Sequence, residues 1–219
     1  ILAVGAKPIF CDILEDTLCI DASKIKQLIS KKTKAIIAMD YGASIAEHDE
    51  INFIAKKNRL RVIHDAAHSL GSEYKNKKIG SFSDVTMFSF DPVKTFTCID
   101  GGAIIVNTHK EMIKLHEMRL MGMAQKASVM YNNKRAWTHK TAWTYDVKRL
   151  GFRYHLANIH AAIGIEQLKK LADARNKSGH TSIAELSEVE GVHHLLISDE
   201  DKPGILLRAF GFFPEFHGR

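Results

Sequence analysis

Apolar and polar positions alternate along the first half of the chain in two rhythms. Short β-branched runs at Ala35–Met39 (AIIAM), Leu60–Ile63 (LRVI), Asp84–Ser89 (DVTMFS) and Ala103–Val106 (AIIV) read as buried strands. Between the first two, Glu47–Lys57 places Ile51 and Ile54 on one helical face with charges on the other. Asp21–Ser30 groups Ile25, Leu28 and Ile29 at helical spacing, and His109–Met121 also reads as helix. Leu156, Ile159 and Ile163 begin a further helix that runs to about Leu171. Strands alternating with helices predict an α/β fold. The expected architecture is a three-layer αβα sandwich, its mostly parallel sheet covered on both faces.

The rhythm lapses twice. Gln125–Lys148 is polar and aromatic, with Tyr131, Trp137, Trp143 and Tyr145 at no clean period. It predicts a long ordered excursion, a feature that in compact domains usually serves function or an interface. From about Asn176 the signal fades, and the Phe-rich end, Gly204–Arg219, matches no element. The expected division is therefore a large domain over 1–171 and a divergent region over 172–219.

Composition narrows the class. With 219 residues, 45% of them hydrophobic, the chain can bury a substantial core. No stretch reaches the roughly 18 apolar residues of a membrane span. Ile1–Phe10 is interrupted by Lys7 and Pro8 and lacks a charged leader and a cleavage pattern, so secretion is not expected, nor is Ile1 the expected natural start. Cys11, Cys19 and Cys98 form no C-x-x-C pair, which argues against a disulfide scaffold or a structural zinc site and fits a reducing cytoplasm. The net charge is +6. Its clusters, Lys31, Lys32, Lys34 and Lys75, Lys77, Lys78, have no interleaved aromatic residues to stack on bases. They read as solvated faces and turns rather than a nucleic-acid surface, and a mildly basic surface suits an anionic small substrate.

Two constellations carry candidate chemistry. His64-Asp65-Ala66-Ala67-His68 follows the strand LRVI. A carboxylate at the carboxyl end of a parallel strand is where α/β proteins face their ligands, although Asp65 could equally cap a turn. The His64/His68 spacing imitates the H-E-x-x-H zinc motif, but one histidine abuts a strand, the acid is Asp, and Gly71 follows soon after, so no metal is expected. The second constellation is Phe88-Ser89-Phe90-Asp91-Pro92-Val93-Lys94, with Gly101-Gly102 beyond it. A lone loop lysine is ordinarily a surface charge. Lys94 stands out through its company: a serine at the strand end, a glycine pair, and an aspartate at a previous strand end.

Four collinear segments resemble the DegT/DnrJ/StrS family of sugar aminotransferases, which depend on pyridoxal phosphate (PLP). VGAKPIFCDI resembles the family's "VGA-x-P-x-F-x-DI" and HDAAHS its "EDAA(Q/H)". FSFDPVKTFTCIDGGAIIV resembles "FSF-x-x-x-K…GGA", and LGFRYHLANIHAAIGIEQLKKL resembles the helix "G(Y/F)-x-Y(R/H)(M/L)-x-(D/N)-x-x-AA-x-G-x-x-QL". The likeness covers Ile1–Leu171 and implies the large domain of a fold-type I PLP-dependent transferase, truncated at both ends.

Residue by residue, the resemblance implies that Lys94 bonds covalently to the aldehyde of PLP, a task only a primary amine can perform. The released amine can then move a proton between substrate and cofactor carbons. It implies that Asp65 pairs with the pyridine nitrogen. An opposite charge there is worth about 4 kcal/mol at an effective dielectric of about 20, or about three pKa units, and keeps the electron sink protonated. His68 matches the residue against the ring and its phenolic oxygen, and Ser89 the one that binds the phosphate. Satisfied-core and strand-cap readings remain open for these two. Arg153 stands where the family often has Asn, reaching the partner subunit's cofactor phosphate. It could contact a phosphate itself or lie at the subunit interface. The family's Gly-Thr phosphate turn and its ring-stacking aromatic lie upstream of the VGA segment, outside this chain. The implied activity is transfer of an amino group from a donor such as glutamate to a keto carbon of a nucleotide-linked sugar, by a homodimer. The alternatives are a non-catalytic or inactive member of the fold that serves binding or regulation, and a deoxysugar dehydratase. The dehydratase relatives carry His where this chain has Lys94.

Overall fold

The structure is a computed structural model that describes residues 1–42, 44–124, 146–178 and 205–206. Trp137 and Trp143, most of the aromatic excursion and most of 179–219 lie outside the described residues.

Five strands form the main sheet in the order β1 (Ala35–Met39), β2 (Arg61–Asp65), β5 (Val85–Ser89), β6 (Gly102–Val106), β7 (Ile205–Leu206). Each of the four strands expected from the sequence is present within one or two residues. β1, β2 and β5 are parallel neighbours, whereas β6 and β7 are antiparallel additions. The reversal at β6 has a local cause. Phe90–Gly101 carries no crossover helix, and a parallel return needs one. A separate hairpin pairs β3 (Glu73–Tyr74) with β4 (Lys77–Lys78). Its two turn residues, Lys75 and Asn76, both have positive φ (50° and 63°), the backbone of a type I′ turn. The second lysine cluster is thus a hairpin turn, and Lys75 donates to Asp49 at 2.8 Å.

The helices are α1 (Ala22–Leu28), α2 (His48–Lys57), α3 (His109–Arg119) and α4 (Asn158–Ser178). Asp21 caps α1 by accepting from the Ser23 amide. Thr108 caps α3: its Oγ1 accepts the Glu111 amide and donates to the Glu111 carboxylate. α4 continues past Leu171 to Ser178. No described helix is long and apolar enough to cross a membrane.

Strand alternation gives the sheet two unlike faces. On one, Ile36, Ala38, Val62, His64, Thr86, Phe88, Ala103 and Ile105 are buried. α1 and α2 cover its β1–β2 side through Ile25, Ile51 and Ala55. Leu156, Ala161 and the loop aromatics Phe90 and Phe96 cover its β5–β6 side. The other face carries Ile37, Met39, Ile63, Asp65, Met87, Ser89 and Ile104, and among the described residues it is only half covered; Ile37 is 41% exposed. Cover on both faces, expected from the apolar runs, is therefore met on one face by the described residues. A buried strand and a strand awaiting a partner have the same composition.

Candidate active site

β2 ends at Asp65 and its parallel neighbour β5 ends at Ser89. In register Asp65 stands opposite Met87, two residues before Ser89, so Asp65 and Ser89 share the half-covered face at the carboxyl ends of adjacent strands. Asp65 is half-buried. Its Oδ1 accepts the Ala67 amide at 3.1 Å, while Oδ2 takes no hydrogen bond from a described residue. One oxygen thus caps the turn, and the other is unused among the described residues.

Lys94 lies on the loop that leaves Ser89. Backbone bonds close the neck of this loop, from the Phe90 amide to the Gly101 carbonyl (2.9 Å) and from the Cys98 amide to the Phe90 carbonyl (3.1 Å). Phe90 and Phe96 meet edge to face at 4.9 Å and bury their rings beneath it. At the tip, Asp91 accepts the amides of Val93 (Oδ1, 3.2 Å) and Lys94 (main-chain oxygen, 3.0 Å). The glycine pair makes this packing possible. A Cβ on Gly102 would stand 2.6 Å from the Phe88 carbonyl oxygen, and one on Gly101 2.8 Å from Leu156. The Lys94 backbone is therefore held on a compact, pinned loop, and its side chain is half-buried with no ion pair among the described residues. Cys98, in the same loop, is no competing nucleophile: burial, with Asp100 beside it, pushes its thiol up to about 11.

His68 follows Asp65 in the turn after β2. Its Nδ1 accepts the Gly42 amide at 3.2 Å, and its ring lies 5.5 Å from that of Tyr41. Arg153 is exposed on a strap, residues 151–155, bound to the end of α3 by bonds such as Tyr154 N–H to the Arg119 carbonyl (2.8 Å). No hydrogen bond or ion pair joins it to Asp65, Ser89 or Lys94 among the described residues.

Beneath Asp65 is a group the sequence does not announce. Asp40, directly after β1, is fully buried. Its Oδ1 accepts from His48 Nε2 (2.8 Å) and the Ala46 amide (3.1 Å), and its Oδ2 from His64 Nε2 (2.6 Å) and Ser69 Oγ (2.6 Å). Burial alone would push this carboxyl up. The hydrogen bonds from His48, His64 and Ser69 outweigh it and hold Asp40 well below the usual carboxylate range. Burial pushes His64 down, so it is neutral near pH 7. His64 and His68 thus point to different partners, and the zinc-like spacing has no counterpart in space. The available signal for Asp40 was its position, an aspartate just past a buried strand as Asp65 is. Nothing local ties it to His48 or His64.

An acid with an unused oxygen and a hydroxyl at the carboxyl ends of adjacent strands, with an amine on the loop that leaves the second, are the donor types that PLP demands. The acid suits its pyridine nitrogen, the hydroxyl its phosphate and the amine its aldehyde.

Residues 1–210 match the DegT/DnrJ/EryC1/StrS aminotransferase family. A Campylobacter jejuni UDP-4-amino-4,6-dideoxy-N-acetyl-beta-L-altrosamine transaminase is 36% identical over 99% of this chain and 55% of its own length. The Bacillus subtilis spore coat polysaccharide biosynthesis protein SpsC is 32% identical over 81% of the chain and 44% of its own length. Among solved structures, Helicobacter pylori PseC, an aminotransferase of pseudoaminic acid biosynthesis, superimposes with a TM-score of 0.68 at 28% identity, covering 84% of this chain and 52% of PseC. Streptococcus pneumoniae Spr1654, solved in PMP form, gives a TM-score of 0.68 at 28% identity over 80% of this chain and 48% of its own; it has also been solved in PLP form. The chain spans about half the length of these relatives. With its fold-type I large-domain architecture, it belongs to the DegT/DnrJ/EryC1/StrS family of PLP-dependent aminotransferases.

Proposed function

We propose that this chain is the cofactor-holding part of an enzyme that transfers an amino group from an amino acid, glutamate in the simplest case, to a keto carbon of a nucleotide-linked sugar. One observation carries the reading: Asp65 and Ser89 end adjacent parallel strands on one sheet face, and the pinned loop leaving Ser89 bears Lys94. The relatives' names support the substrate class.

PLP supplies an electron sink for the bond broken at the substrate carbon. Asp65 holds a proton on the pyridine nitrogen through its unused oxygen. Lys94 would hold the cofactor at its aldehyde through Nζ, and as a free amine it would move a proton at the substrate carbon. The Ser89 hydroxyl would donate to the phosphate, and His68, whose Nδ1 accepts the Gly42 amide, would hold the ring side of the cofactor. Arg153 serves a phosphate or the subunit contact of a homodimer. A cytoplasmic setting fits Cys11, Cys19 and Cys98, all free.

The test uses the parent protein. The wild type should show visible cofactor absorption and a borohydride-reducible adduct, and Lys94→Ala should lose both along with transamination. An adduct that survives in Lys94→Ala places the reactive amine elsewhere and ends this assignment.

A further inference from the structure

We propose that Asp40 is a positioning residue for the cofactor site, a buried clamp that holds the Asp65–Ser69 turn through His64 at one end and Ser69 at the other. The inference rests on the reading of Asp65 and His68 given above.

The clamp joins four pieces of chain at one carboxylate. Asp40 follows β1, Ala46 and His48 open α2, His64 is in β2, and Ser69 closes the turn. A carboxylate has about four lone-pair sites, and all four are taken here, by Ala46 N–H, His48 Nε2, His64 Nε2 and Ser69 Oγ. An ionised carboxylate only accepts, so both imidazoles present Nε2–H to it. Each Nδ1 is buried without a partner. The rings of His48 and His64 lie 3.9 Å apart, and Phe82 lies 5.2 Å from the first and 5.8 Å from the second. The rings can therefore shift little.

Three ligand-type groups within 4.8 Å of one another also invite a metal reading. The hydrogen bonding opposes it. A metal on both Nε2 atoms would force the protons onto Nδ1, where neither has the outer partner that metal-bound histidines require.

The position of the clamp gives it a task. His64 and Asp65 are consecutive, so their side chains leave opposite faces of β2. Gripping His64 from the sealed side fixes the backbone from which Asp65 projects on the open side. Ser69 fixes the far end of the turn carrying His68. The Asp40 amide donates to the Asp65 carbonyl (3.1 Å), so the same residue holds this strand end twice. Tyr41 and Gly42, the next two residues, meet His68 from the open side.

Ser69→Ala removes one arm and leaves both histidines in place. In the parent protein it should weaken PLP binding about tenfold in a visible titration, the effect of one charge-assisted hydrogen bond. In the cofactor-free protein it should speed amide exchange at Ala66, Ala67 and Ser69, while the amides of Ile51–Ala55, packed in the adjoining core with Ala38 and Val62, keep their rates. Asp40→Asn should do both more strongly. Unchanged exchange at the turn in Ser69→Ala, or equal loosening of Ile51–Ala55, would overturn the clamp. So would stoichiometric zinc that Asp40→Asn removes. The exchange readout needs no cofactor, so a wild type that fails to bind PLP ends the amine-transfer reading while the clamp is still judged.

Discussion

The two faces of the sheet use the same strands for opposite purposes. On the sealed face of β2, His64 is fully buried and every oxygen of its partner Asp40 is occupied. On the open face Asp65, one residue later, keeps an oxygen unused. Period-two alternation alone separates them. The sealed face saturates the Asp40 carboxylate internally and contributes stability, although the Nδ1 atoms of His48 and His64 and the Thr86 hydroxyl stay unpartnered. On the open face Asp65 Oδ2 and the Lys94 amine have no partner among the described residues, and Ser89 Oγ accepts only the Asp91 amide at 3.4 Å.

That division is breakable by substitution. Asp65→Asn should cut transamination by about three orders of magnitude, from the roughly 4 kcal/mol of lost charge pairing. Its melting temperature should stay within about 2 °C, because no buried contact is removed. Near-normal turnover, or a large thermal loss, would mean that Asp65 is a structural cap. Ile51→Ala on the sealed side should do the reverse, costing about 2–5 kcal/mol in urea unfolding while PLP affinity per folded molecule holds; Ile51 is wholly buried. Gly102→Ala tests the border between the faces. Its new Cβ would press on the Phe88 carbonyl oxygen, which as backbone cannot swing away. A loss of about 1–3 kcal/mol is expected, together with weaker PLP binding as the Lys94 loop shifts. Unchanged binding would uncouple the loop from the sheet.

Acid should find the sealed face first. The folded His64 titrates below its ordinary value. The unfolded chain therefore takes up its proton first, and stability falls as pH drops through about 6.5. Asp40 titrates low in the fold. Its contribution is full above about pH 4 and is lost as pH falls from there through its folded value. Urea midpoints measured from pH 7 to pH 3 should decline, and the part below about pH 4 should shrink in Asp40→Asn, leaving the share of Asp49 and Glu111, held low by Lys75 and Arg61. A flat wild-type profile would contradict the burial of these groups as neutral imidazole and ionised acid. The smallest effect is expected at Ile99, a β-branched residue at φ 74° in the Lys94 loop. Ile99→Gly should relieve about 1 kcal/mol of local strain in an unfolding titration, without altering the spectrum of bound PLP.

Much of this was legible in the residues. AIIAM, LRVI, DVTMFS and AIIV became β1, β2, β5 and β6 because β-branched runs between turn signals have few other stable outcomes. Asp65 and Lys94 stood out because strand ends and glycine-flanked loops are local features. What a sequence determines by itself is what neighbouring residues can settle: which segments extend, which coil, and which side chains are chemically able to act. Tertiary structure alone decided that one sheet face is only half covered by the described residues, and that Asp40 meets His48 and His64 across 8 and 24 positions of chain. Those outcomes depend on register and on contacts between distant segments, whose energies are not written in any local pattern.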